Sequence, residues 1–181
     1  MPTKRALLVI DVQHVFCEGE YEAFQVAQIV ERINDLADKA RSANAPVIFV
    51  QHESKGGLLR HGSDGWQLAA GLVVKPRDVL MRKTTPDSFL RTELVGLLQE
   101  RQIDSLVICG LQTEYCVDTT TRRALALGYP VILVADGHST FDGEHLSASQ
   151  IIEHHNITLS SIASFGPRAQ PVVSSEVSFV V

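Results

Sequence analysis

A chain of 181 residues with 45% hydrophobic composition can bury a core and falls in the usual range of a single domain, residues 1–181. Its formal charge of −5 offers no basic field to phosphate backbones or anionic lipid, so nucleic acid and membrane partners are disfavoured. No stretch approaches the roughly 20 apolar residues of a membrane span, and Asp11 interrupts the first apolar run too early for a signal segment.

In chain order, ALLVI at 6–10 reads as a short buried strand. Asp11 follows it directly, where capping a turn and lining a site are equally open. Helical spacing then runs from Phe24 to Ala43 through Val26, Ile29, Val30, Ile33, Leu36 and Ala37. The second strand, PVIFV at 46–50, leads to Gln51 and His52. The stretch 55–75, with Gly56, Gly57, Gly62, Gly65 and Gly71, is predicted to be irregular, as loops that belong to sites often are. Lys83, in VLMRKTTPDSF, sits among apolar residues, where an ammonium is costly unless a carboxylate or thiolate pairs with it.

A helix is predicted over 88–99, a strand at 105–110 (SLVICG), a helix over 119–127 stopped by Gly128, and a strand at 130–136 (PVILVAD). A helix over 147–155 and a short strand at 157–159 follow. The tail, 167–181, is apolar and β-branched. Its SEVSFVV reads as an edge strand or exchanged arm whose exposure would be an aggregation hazard, so burial in a homo-oligomer, a dimer or tetramer, is expected. The alternation of strand and helix predicts a three-layer α/β/α fold with a doubly wound, Rossmann-like, mostly parallel sheet. Ligands of such sheets bind beyond the carboxyl ends of the strands, which directs attention to Asp11, Gln51, His52, the GLQTEYC segment and Asp136.

Three cysteines without a CxxC pair suit a reducing, cytoplasmic setting. Cys109, inside an apolar strand, reads as a small buried hydrophobe, and Cys17 is left open. Cys116 lies where a strand gives way to a helix beginning near Val117, a location that can lower a thiol pKa. Asp11, Lys83 and Cys116 would make one chemical unit if they meet: the carboxylate takes the thiol proton, the ammonium favours the anionic pair, and backbone N–H groups hold an oxyanion.

ALLVIDVQHVF, MRKTTPDSF and VICGLQTEYCVDTTTRRALALGYPVILVADGHST occur in the order of three motifs of the isochorismatase-like cysteine hydrolase superfamily, which the chain resembles over nearly its whole length. The resemblance implies Asp11 as general base, Lys83 as support for the thiolate and Cys116 as nucleophile. It further implies a cis peptide between Leu111 and Gln112, with the N–H groups of Gln112 and Cys116 forming an oxyanion hole. The implied reaction is hydrolysis of an amide or related C–N bond of a small molecule through a thioester. Phe16, Trp66 and Tyr115 are candidates for the substrate pocket, and His14 for a hydrogen bond near it.

Relatives that are nicotinamidases bind metal through an Asp-x-His pattern at the second-strand exit, where this chain has Gln51, His52 and Glu53. His52, Glu53 and His61 can be imagined as ligands, but no metal or cofactor is expected. Isochorismatases proper have a small residue in place of the cysteine, so Cys116 favours C–N hydrolysis. The alternatives are a metal-dependent nicotinamidase, a non-catalytic oligomeric binding protein of the same fold, and a redox protein with Cys17 as resolving thiol.

Overall fold

The computed structural model describes residues 3–19 and 22–180. Its six strands are β1 (Arg5–Ile10), β2 (Val47–His52), β3 (Val79–Lys83), β4 (Ser105–Leu111), β5 (Val131–Ser139) and β6 (Ala169–Val172). They form one sheet in the order β3-β2-β1-β4-β5-β6, with every pair parallel. The helices are α1 (His14–Cys17), α2 (Val26–Ser42), α3 (Leu94–Glu100), α4 (Asp118–Ala126) and α5 (Ala148–Ser161). The central strands β1 and β4 are buried almost end to end, as a parallel sheet covered on both faces requires, and this is why they read as continuous Val/Ile/Leu runs.

Two core clusters lie on the two faces of the sheet. Leu7 and Val9 of β1 pack with Ile29, Ile33 and Leu36 of α2. Ala6, Leu8 and Ile10 pack with Leu94 and Leu98 of α3, Ala124 and Leu125 of α4 and Leu159 of α5. Among the described residues, no helix is long and apolar enough to cross a membrane.

Several predicted elements differ. VLMRK is an edge strand in which only Met81 and Lys83 turn inward, so its charged residues hid it from an apolar-run reading. The third helix begins at Leu94 rather than residue 88. Arg91 has φ +59, and Asp87 and Thr92 hydrogen-bond the local backbone instead, at Phe89 N (2.7 Å) and Ser88 O (2.6 Å). Residues 157–159 belong to α5, which the Ser147–Gln150 capping box starts, and the sixth strand is Ala169–Val172. SEVSFVV forms no strand among its described residues: Val177 and Phe179 are buried against the α2 side of this same chain.

One contact aligns the carboxyl ends of the central strands. Gly110 has φ +117, and a Cβ there would stand 2.1 Å from the Ile10 carbonyl oxygen. The absence of a side chain lets β4 close onto the end of β1, bringing the residues after Leu111 beside Asp11.

Candidate active site

Asp11 leaves β1 with φ +50, a left-handed conformation uncommon outside glycine and concentrated at functional sites. Its N–H still donates to Val50 O at 2.8 Å, so the ladder to β2 holds the backbone while the carboxylate turns away from it. Lys83 ends β3 fully buried. Beyond β4 the Leu111–Gln112 peptide is cis, and a single π-turn, Thr113–Val117, leads into α4 and carries Cys116.

These three side chains meet. Lys83 Nζ donates to Asp11 Oδ2 at 2.6 Å and to Cys116 Sγ at 3.1 Å. It also reaches His52 Nδ1 at 3.1 Å and Thr85 O at 3.2 Å. The second carboxylate oxygen, Asp11 Oδ1, is buried without a hydrogen-bond partner. Burial, followed by the Asp11 carboxylate, pushes the Cys116 thiol up to about 12, with Lys83 opposing in part. Desolvation thus works against the lowering that a position before a helix suggested.

A cavity of about 210 Å³ opens onto these groups, lined by Asp11, Phe16, His52, Leu59, Pro86, Gln112, Tyr115 and Cys116. Trp66, a candidate for the substrate pocket, is not among the lining residues. Its ring stands edge-on to His61 with centroids 4.6 Å apart, and its carbonyl accepts from the Gln13 and Gln51 side chains. His14 faces Glu18 at 3.6 Å, at the surface. Asp136 ties down the tail through Ser174 N at 2.6 Å. Cys17 belongs to the α2-side cluster and Cys116 to the opposite one.

Sequence reasoning overlooked a buried support behind the π-turn. Thr113 Oγ1 is 2.8 Å from His138 Nδ1, and His138 Nε2 is 3.0 Å from Asn156 Oδ1. His138 reaches this place because three extra residues of β5 bulge between the Ile108–Leu133 and Gly110–His138 pairs. Nothing in the local pattern of PVILVADGHST signals that bulge. Burial holds the His138 imidazole down to about 4.

His52, Glu53 and His61 do not converge on a metal position, since Glu53 faces Arg82 at 3.4 Å and His61 packs on Trp66. Among the described residues, the one group of three or more potential ligands whose donor atoms come within 4.8 Å of one another is Asp11, His52 and Cys116. Lys83 Nζ already lies within 3.1 Å of each of those side chains, so a divalent cation there would meet an ammonium, and the set does not fit one.

A parallel α/β sheet bearing a cysteine, a carboxylate and a buried lysine at its carboxyl end defines a class of small α/β hydrolases. Residues 5–163 match the Isochorismatase domain, and the chain belongs to the isochorismatase family. A streptothricin hydrolase of Streptomyces noursei is 37% identical over 139 residues, 76% of this chain and 50% of that protein. A second from the same organism is 35% identical, with 55% of its length covered, so this chain spans about half the length of these relatives. A ureidoacrylate amidohydrolase of Pseudomonas syringae pv. syringae is 25% identical over 172 residues, covering 75% of this chain and 70% of that one. A crystal structure of an isochorismatase family protein superposes with a TM-score of 0.84 at 38% identity, over 93% of this chain and 97% of the other.

Proposed function

We propose that this isochorismatase-family hydrolase is a metal-independent amidohydrolase that cleaves a C–N bond of a small molecule through a thioester on Cys116. The observation that carries this reading is the single ammonium of Lys83 bridging Asp11 Oδ2 and Cys116 Sγ beside the cavity. The named activities of a streptothricin hydrolase and a ureidoacrylate amidohydrolase among the relatives are consistent with it.

In this mechanism the unpartnered Asp11 Oδ1 takes the thiol proton as sulfur attacks the carbonyl carbon, so the high thiol pKa is bypassed by local transfer. The Gln112 and Cys116 N–H groups receive the oxyanion, and a donor of this kind is worth roughly a hundredfold or more in rate. Asp11 then returns its proton to the leaving nitrogen, the C–N bond breaks, and ammonia or an amine departs. Water, deprotonated by Asp11, attacks the thioester, releases the carboxylic acid and restores the thiol. Lys83 keeps the carboxylate and sulfur together through both halves of the cycle. The reading extends to a cytoplasmic protein that works as a homo-oligomer.

Ammonia or amine release from a panel of small amides, with and without chelator, tests this. Wild type is expected to turn over in chelator, and Cys116→Ala to lose all turnover while keeping the wild-type melting curve. Denatured reaction mixtures should carry the acyl mass on the Cys116 peptide. Turnover by Cys116→Ala at the wild-type rate refutes the mechanism.

A further inference from the structure

Asp11 follows β1 and Lys83 ends β3, with β2 between them, so their backbones stand two strand spacings apart, roughly 10 Å. The long lysine side chain can cross that gap by itself. The aspartate has a single methylene, so its carboxylate goes where the backbone turns it. Alternation along a strand sets the direction it would otherwise take. Leu7 and Val9 pack in the α2-side cluster, whereas Ala6, Leu8 and Ile10 pack in the opposite one, with Met81 and Cys116. Had β1 continued as a regular strand, residue 11 would point to the α2 side, away from Cys116. The left-handed φ of +50 at Asp11 reverses that direction, and such a conformation persists only where its surroundings over-determine it.

The hydrogen bonds around Gln13 supply that constraint. β1 and β2 pair as far as Ile10 and Val50, and Asp11 N–H adds a last regular bond to Val50 O at 2.8 Å. A parallel ladder continued in this register would have His52 N–H donate to Asp11 O, and Gln13 N–H donate to His52 O. Here Gln13 N–H turns back onto Asp11 O at 2.8 Å, and the Gln13 carboxamide takes both places on His52. Its Oε1 accepts from His52 N at 2.9 Å, and its Nε2 donates to His52 O at 3.0 Å. Nε2 also donates to Trp66 O at 2.8 Å, so the buried side chain has its acceptor and both donors engaged. On its other edge His52 is the register partner of Lys83. The carboxamide thus lets the chain leave the ladder at Asp11 while the end of β2, to which Lys83 is paired, keeps its hydrogen bonds.

We propose that Gln13 is a positioning residue for the general base: its carboxamide replaces the two ladder bonds given up at Asp11 and so aims the Asp11 carboxylate at Lys83 and Cys116. The inference rests on the amidohydrolase reading, which gives Asp11 its role. Gln13 is not among the residues lining the cavity and acts through Asp11. Without its carboxamide, the N–H and C=O of His52 regain partners when the chain after Ile10 returns to the extended ladder. That return carries the carboxylate toward the α2 side and off its line to the sulfur.

The probe is ammonia release from propionamide, or from the smallest primary amide that wild type turns over, measured on folded protein well below its melting temperature. Gln13→Met keeps the length of the side chain and removes its hydrogen bonds. Its kcat is expected to fall about a hundredfold, the scale of a misplacement by about 1 Å, with KM near the wild-type value. In Gln13→Glu, burial favours the protonated carboxyl, which keeps an acceptor and one donor, so its kcat should lie between those of Gln13→Met and wild type. Gln51 separates aiming from anchoring of the loop, because its Nε2 shares Trp66 O with Gln13, at 3.0 Å, and replaces no ladder bond. Gln51→Met should therefore keep the wild-type kcat. A wild-type kcat in folded Gln13→Met, or an equal loss in Gln51→Met, overturns the role of Gln13 and, with Cys116→Ala inactive beside it, leaves the amidohydrolase reading intact. Failure of both Gln13 variants to fold would make Gln13 a residue of stability alone and overturn the inference as well. Turnover by Cys116→Ala, or none by wild type on any amide, overturns the amidohydrolase reading and this inference with it.

Discussion

Lys83 is the residue on which the site depends most, because it balances a buried carboxylate and a thiol at once. Its side chain has no exposure and that of Asp11 has 2%, so neither charge is screened by water. Removing one partner of such a pair costs about 3–5 kcal/mol, whereas replacing both by uncharged groups can be close to neutral. Lys83→Met is therefore expected to lower stability by about that amount, and Asp11→Asn/Lys83→Met to recover most of it. Asparagine is suited to position 11 because it tolerates the left-handed backbone that Asp11 adopts. Neither variant should turn over substrate, which denaturant titration and an amide-release assay would establish together. Equal stability of Lys83→Met and wild type would mean that the pair is not desolvated.

At the level of elements, the π-turn is held between two features. In front, the absence of a side chain at Gly110 lets β4 close on β1. Gly110→Ala would place a methyl against Ile10 O at a φ of +117, so this variant is expected to fail to accumulate as folded protein. Behind, the Asn156 amide N–H donates to Ala135 O, which leaves its oxygen to accept from His138 Nε2–H, and Thr113 donates to Nδ1. His138 is thus buried neutral, with its pKa lowered from 6.5 to about 4, chiefly by desolvation, with His155 adding to it and Asn156 opposing. Below pH 6.5 the unfolded chain takes up a proton that the folded chain refuses. The stability present above pH 6.5 is then lost as pH falls toward 4, by about 3 kcal/mol. His138→Leu should flatten that part of a pH–stability curve measured by denaturant unfolding, and a wild-type curve that is flat there would contradict the account. The sequence showed β1, β2, β4 and the body of α2 clearly, since buried parallel strands and an amphipathic helix leave strong periodic signals. It placed Asp11 and the Cys116 turn at the carboxyl edge for the same reason. It hid β3, an edge strand with inward Lys83, and it hid the β5 bulge and His138, because non-local pairing leaves no local pattern.

Across the whole molecule, the candidate site and the packed tail lie at opposite ends of the sheet. The carboxyl ends of β1 to β4 carry the strained Asp11, the buried ion pair and the cavity. At the amino end the tail closes the α2 face: Val177 and Phe179 are 4% and 7% exposed. Lys39 Nζ donates to Ser174 O and Ser175 O at 3.0 and 3.1 Å, and the Arg5 guanidinium donates to Ser178 O. An all-parallel sheet has to be covered on both faces, and here Val177 and Phe179 add to that cover beside α2. Truncating Phe179 to alanine removes a nearly buried aromatic ring, for which about 3 kcal/mol is the expected cost, and in a chain of this size that lowers the melting temperature by roughly 6–12 °C. None of the cavity residues belongs to the tail, so kcat/KM of Phe179→Ala, measured well below its melting temperature, should equal the wild-type value. A loss of kcat/KM in folded Phe179→Ala would mean that the amino and carboxyl ends of the sheet are coupled through β1, the strand that contributes both Arg5 and the approach to Asp11.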